Sequence, residues 1–157
     1  MTIAKVCRLA VAAGCTGFKL PLHLTDQQSM LDLMKENVHL NLMDKLIEAS
    51  VYNWGEPIPE GLPNKPDIVL AADCVYFEPS FPLLYQTLLD LIGPHTVCYF
   101  CFKKRRRADM NFIKTIKRSF EVSDVIDDPD QDIYRKESIF LYVKILHESY
   151  RHNTYCL

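Results

Sequence analysis

The chain has 157 residues, 48% hydrophobic and 24% charged, a globular composition with material for one ordinary core. A formal net charge of −2 excludes a global pull toward nucleic acid or membrane, so charge-driven recognition has to be local. No apolar run approaches the roughly 18 residues of a spanning helix, and Met1 to Val6 lacks the long apolar region of a secretory signal. The six cysteines sit mostly in apolar stretches, as buried free thiols do, so a reducing cytosol or nucleus is expected.

In chain order, Ile3 to Ala13 fits the back half of a helix with Gly14 as its stop. Phe18 to Leu24 reads as a strand whose Pro21 cannot donate to a ladder. Thr25-Asp26-Gln27-Gln28 has the T-x-x-Q form of a helix start, and Met30, Leu31, Met34 and Val38 follow at helical spacing. Ile47 to Tyr52 suits a strand, and the loop Asn53-Trp54-Gly55-Glu56-Pro57 continues through Pro59, Gly61 and Pro63. Asp67 to Ala72 is a continuous apolar strand of the kind buried on both faces of a parallel sheet.

Pro79 to Leu91 is predicted as its return helix, with Leu84, Leu88 and Leu91 as the apolar stripe and prolines only in the first turn. Thr96 to Phe102 is a second apolar strand. Cys98 and Cys101 within it form C-x-x-C, but positions three apart on a strand face opposite ways, which argues against metal or redox use. Ala108 to Ser119 reads as a helix with Phe112, Ile113 and Ile116 inward and Lys114, Lys117 and Arg118 outward. Phe120 to Ile126 and Ser138 to Leu146 are strands separated by an acidic turn from Asp127 to Asp132. Strands alternating with helices mean α/β with a largely parallel sheet, and two final strands without a helix between them mean an antiparallel hairpin at one edge.

Ligands of such sheets bind at the carboxyl ends of the strands. Three of those ends carry candidate groups. Asp26 is an acid able to accept ribose hydroxyls, or simply an N-cap for the helix it opens. Trp54 is able to cover an adenine face, or to pack. Asp73 ends a strand too apolar to need an acid for solubility. With Tyr76 and Glu78 it makes a polar cluster suited to orienting an amine, unless it caps the helix starting near Ser80. Lys103-Lys104-Arg105-Arg106-Arg107, with Lys114, Lys117 and Arg118, is a basic patch for an acidic protein surface or a phosphate backbone. Charge runs are usually solvated, and no aromatic residue interleaves this one, so nucleic acid is the weaker reading. None of the five histidines has metal-ligand spacing, and no P-loop or nucleophile elbow is present.

These segments resemble the seven-strand methyltransferases that modify protein lysines, the methyltransferase-like-21 group and its fungal relatives acting on translation elongation factor. Leu70 to Glu78 looks like the group's D-x-x-Y segment, Tyr52 to Pro57 resembles its N-W-G-E-P loop, and Thr25-Asp26 is similar to its T-D after the second strand. Residues 103–109 and the helix that follows are especially like the fungal enzymes. The resemblance implies a Rossmann-like sheet with helices on both faces and a C-terminal antiparallel hairpin. It implies S-adenosylmethionine as cofactor, with Asp26 on the ribose, Trp54 on the adenine side and Ala72 offering backbone near the methionine part. Asp73 and Tyr76 fall in the catalytic segment, no metal is required, and the partner is a protein lysine, with an elongation factor suggested.

The family's first strand leads into a glycine-rich loop, whereas Gly14 and Gly17 here follow the first helix. Asp26 lies where an acid about 20 residues beyond such a loop falls, which puts that loop at or just before Met1. The expectation is one N-terminally incomplete methyltransferase-like domain over residues 1–157. Its rivals are a noncatalytic remnant or interaction module that keeps the acceptor face, and nucleic-acid binding through residues 103–118.

Overall fold

The computed structural model describes residues 21–126 and 128–146. The helix expected over 3–13, its stop at Gly14 and the beginning of the first strand lie outside the described residues. The chain divides into two compact units, Met1–Leu62 and Pro63–Leu157.

In the first unit, β1 (Leu22–Asp26) pairs in parallel with β2 (Ile47–Val51), from Leu22 opposite Ile47 to Asp26 opposite Val51. Between them run a 3-10 turn, Gln28–Met30, and α1 (Leu31–Leu40). Met34 and Val38, one helical turn apart, are the buried positions of α1. Val38 joins Met43 and Ile47 in a small core flanked by Leu22, Leu24 and Leu46. The T-x-x-Q helix start is not formed. Thr25 and Asp26 extend the strand instead, Asp26 accepting the Tyr52 N–H at its carbonyl, and neither Gln27 nor Met30 makes a side-chain cap bond. Pairing with β2 satisfies backbone groups that a helix start would leave to a cap.

In the second unit, the strands are β3 (Ile68–Ala72), β4 (Val97–Lys103), β5 (Phe120–Asp124) and β6 (Ile139–Leu146), in the order β3-β4-β6-β5. β3 and β4 are parallel, while β6 is antiparallel to both β4 and β5, so the final two strands do form an antiparallel edge. A six-residue helix, α4 (Gln131–Lys136), sits between those strands where an acidic turn was expected. α2 (Phe81–Leu91) and α3 (Arg107–Ile116) are the two longer helices of this unit.

The sheet face carrying Ala71, Cys98, Phe100 and Phe102 is buried, and Phe112 of α3 lies over it, its ring 6.4 Å from Phe100 and 4.9 Å from Phe81 at the start of α2. Leu84 and Leu88 are buried on α2 and Phe112, Ile113 and Ile116 on α3, as the helical spacing requires. The Tyr85 hydroxyl and Ser119 hydroxyl, 2.5 Å apart, tie α2 to the turn after α3. Removing the Phe100 ring from this face would cost about 3–5 kcal/mol. The opposite face behaves differently. Leu70 and Tyr99, neighbours across β3 and β4, are 41% and 40% exposed, so the continuous apolar run of β3 is not buried on both faces among the described residues.

Candidate functional site

Parallel pairing aligns strand ends, so each unit gathers its polar candidates at a carboxyl edge. In the first unit, Asp26 is the last residue of β1, and the Asn53–Glu56 turn begins two residues past the end of β2. The Glu56 N–H donates to the Asn53 carbonyl at 3.2 Å, and Gly55 sits at φ 81°, so this is a four-residue turn whose third position needs a left-handed backbone. The Asn53 amide donates to Glu56 Oε2 at 3.0 Å and closes the turn from outside. The N-W-G-E motif therefore has a backbone reason for its glycine, and Trp54, half-buried, is held beside the strand end that carries Asp26. The Asp26 carboxylate is exposed, and its Oδ1 accepts the Gln27 N–H at 2.8 Å.

In the second unit, β3 ends at Ala72 and the chain turns sharply at Asp73, whose φ is +55°. An aspartate tolerates the left-handed region better than most side chains, and the turn is held on several sides. The Asp73 N–H donates to the Cys101 carbonyl of β4 at 2.6 Å, and Val75 is fully buried as the anchor of the loop. The Asp73 carboxylate receives both terminal nitrogens of Arg105, Nη1 on Oδ1 and Nη2 on Oδ2, each at 2.9 Å. One residue after Arg105, Arg106 Nη2 donates to the Tyr76 carbonyl at 2.6 Å. The Tyr76 and Phe77 rings stay more than half exposed beside this clamp.

Asp109 is the third member of the arrangement and is fully buried. Its Oδ2 accepts the backbone N–H groups of Arg105 and Arg106, both at 2.8 Å, and its Oδ1 accepts Arg106 Nη2 at 3.2 Å. As the third residue of α3 it satisfies N–H groups that a helix start leaves orphaned, and so fixes the two arginines over the loop. Burial pushes the Asp73 carboxyl up, but hydrogen bonds and charge from Arg105, with the Lys103 N–H, outweigh it and leave the carboxyl below its ordinary value. The Cys101 thiol is pushed up by burial and by the Asp73 charge.

Asp26 at the end of β1 and Trp54 just past β2 thus share the carboxyl edge of the first unit, and Ala72, Asp73 and Tyr76 lie at that of the second. Neither Asp26 nor Asp73 stands at an N-cap: the caps are Gln27 and Met30 for the helical turns after β1, and Phe77 and Ser80 for those leading into α2. The basic run is exposed along residues 103–107, as a solvated charge run would be, but Arg105 and Arg106 are also paired with the Asp73–Tyr76 loop. A phosphate backbone therefore loses two of its expected partners. Arg105, Arg106 and Asp109 were absent from the site expected on sequence grounds. The acid three residues after Arg106 was a readable half of a capping box, but the pairing of Arg105 with a residue 32 positions earlier was not. Cys98 and Cys101 do face opposite ways on β4, Cys98 buried and Cys101 half-buried, and both thiols are free.

Parallel strands alternating with helices, with polar groups at their carboxyl edges, make this an α/β protein of the Rossmann-like kind. Its fold is similar to that of NcsB1, an O-methyltransferase from neocarzinostatin biosynthesis solved with S-adenosylmethionine and 2-hydroxy-5-methyl naphthoic acid. The TM-score is 0.56 at 10% identity over 88% of this chain and 45% of that one, a likeness of fold alone. Residues 5–119 match the lysine methyltransferase family, and the chain belongs to that family. It is 40% identical over 132 residues to the protein-lysine N-methyltransferase EFM6 of Saccharomyces cerevisiae, covering 77% of this chain and 53% of that protein. To the mouse protein N-lysine methyltransferase METTL21A it is 32% identical over 114 residues, covering 71% and 52%. To mouse EEF1A lysine methyltransferase 3 it is 33% identical over 141 residues, covering 83% and 60%. The chain thus spans about half, and at most 60%, of the length of these relatives.

Proposed function

We propose that the chain carries the acceptor half and part of the cofactor half of an S-adenosylmethionine-dependent protein-lysine N-methyltransferase, acting in the cytosol on a translation elongation factor. The observation that supports this most is the Asp73–Tyr76 loop, rigidly held at a strand's carboxyl end in a member of a lysine methyltransferase family. The elongation factor is suggested by the name of one relative, EEF1A lysine methyltransferase 3.

The exposed Asp26 carboxylate offers the paired acceptors that two ribose hydroxyls require, and the half-buried Trp54 ring beside it suits an adenine face. Ala72 would contribute backbone near the methionine part. S-adenosylmethionine, when bound, supplies a methyl group on a sulfonium. The work left to the protein is to deliver a neutral, aligned amine. A lysine at its reference pKa of about 10.4 is about 3.4 units too protonated at pH 7, a cost of about 4.6 kcal/mol. Asp73 and Tyr76 orient the acceptor nitrogen, its proton leaves to solvent before transfer, and the fixed loop supplies the alignment that makes such transfers fast.

Calorimetric titration with S-adenosylmethionine tests the cofactor half: micromolar binding abolished by Asp26→Ala is expected, and no heat at millimolar ligand defeats it. Transfer of labelled methyl to recombinant EEF1A, lost in Asp73→Ala, tests the acceptor half. Unchanged turnover in that variant removes Asp73 from the site.

A further inference from the structure

The reading of Asp73 as the acceptor carboxylate leaves its occupancy unexplained, because both of its oxygens already face a cation. Arg105 makes a two-pronged pair with it at 2.9 Å and 2.9 Å, the Asp73 side chain being only 19% exposed. Resting on that reading, we propose that Arg105 is a positioning residue of the methyl-transfer site: it fixes the Asp73 carboxylate and, as a cation beside the acceptor, favours the neutral form of the target lysine.

Two physical effects combine. A carboxylate facing an ammonium alone stabilises its charged form, which cannot accept a methyl group. A carboxylate already neutralised by a guanidinium holds the ammonium less strongly, and the guanidinium repels it, so both changes favour loss of the lysine proton to solvent water before the methyl group is transferred. The planar fork of arginine also fixes the carboxylate plane, which a single ammonium donor would leave free to rotate.

The surroundings support a built arrangement rather than a chance surface pair. Arg105 is itself held by Asp109, which accepts its backbone N–H at 2.8 Å from a fully buried position on α3. Arg105 Nη1 also lies 3.4 Å from the Lys103 carbonyl on β4. The titratable and charged groups facing the pair among the described residues are Cys101 of β4, Asp109 of α3, and Arg106, which holds the carbonyl of Tyr76.

The test uses the full chain and its Arg105→Gln and Arg105→Lys variants. In carboxyl-detected NMR without substrate, Arg105→Gln is expected to move the Asp73 titration midpoint upward. With recombinant EEF1A and labelled S-adenosylmethionine, Arg105→Gln should lower kcat at pH 7 about tenfold with KM unchanged or lower, and shift the rising limb of the kcat profile to higher pH. Arg105→Lys keeps the charge but not the fork, so its profile should stay in place while kcat falls a few-fold. A merely structural role would lower stability and activity without moving that limb. An unmoved Asp73 midpoint, or an Arg105→Gln profile coincident with the unsubstituted chain while Asp73→Ala is inactive, overturns the role of Arg105 alone. Full activity in Asp73→Ala, or no turnover of EEF1A by the unsubstituted chain, overturns the functional reading, and the substrate-free titration still decides the pair.

Discussion

The Lys144 ammonium lies 3.0 Å above the centroid of the Phe100 ring, fully buried and without a hydrogen-bond acceptor among the described residues. A ring face offsets only part of the cost of burying such a charge. Burial therefore pushes the Lys144 pKa down to about 7, against the pull of the Cys98 and Cys74 thiols.

A lysine with a depressed native pKa destabilises in a defined pH window. The unfolded chain takes up the proton near the ordinary 10.5, whereas the folded chain does so only near 7, so stability falls as pH is lowered across that interval and the full penalty persists below it. Lys144→Met fills the same space without the charge. It is expected to raise the urea midpoint at pH 7, with the gain shrinking toward pH 9. A variant less stable than the parent at pH 7, or a gain that does not depend on pH, contradicts this account.

Asp73→Asn and Asp73→Ala separate backbone from charge. Asparagine tolerates the φ of +55°, while alanine adds a strain of about 1 kcal/mol. Both lose the ion pair with Arg105, itself worth no more than about 1 kcal/mol because the arginine is 41% exposed and screened. Urea denaturation should therefore rank the parent first, Asp73→Asn second and Asp73→Ala last, with neither variant unfolded. An alanine variant as stable as the asparagine one removes the backbone argument.

Asp109→Ala strips the acceptor from two backbone N–H groups and an arginine at the start of α3. A loss of about 1–3 kcal/mol is expected, since the groups it served are left unpaired in a partly buried place. Amide exchange at Arg105 and Arg106 should accelerate more than at the end of α3. Equal acceleration along the helix would mean that Asp109 supports packing rather than the cap.

Gly55→Ala places a side chain at φ 81° in the Asn53–Glu56 turn. The expected cost is about 1 kcal/mol. Because Trp54 is the sole tryptophan, the emission spectrum reads this turn directly, and a shift is expected in the variant. An unchanged spectrum with unchanged stability would show that the turn adapts without strain.

Most of the element order was legible because period and punctuation are local. The stripes Leu84 with Leu88 and Phe112 with Ile113 and Ile116 mark helices, and the Pro and Gly cluster after Tyr52 marks a loop, without any knowledge of neighbours. Local signals failed where two structures competed for the same residues. Thr25 and Asp26 carry helix-start chemistry but belong to β1, because β2 offers them a ladder. The acidic stretch after Ile126 hides a six-residue helix too short for a stripe to announce it.

The sequence by itself determined that strands alternate with helices, that polar groups cluster at Asp26, Trp54 and Asp73, and that the motifs around them are those of lysine methyltransferases. Only the tertiary structure decided what the charges do. The register of β3 on β4 brings Arg105 onto Asp73 across 32 residues, and the pairing of β6 with β4 leaves the Lys144 ammonium over Phe100. The physical reason is that periodicity records which face of an element is apolar, whereas an ion pair or a buried charge depends on which two elements the fold sets side by side.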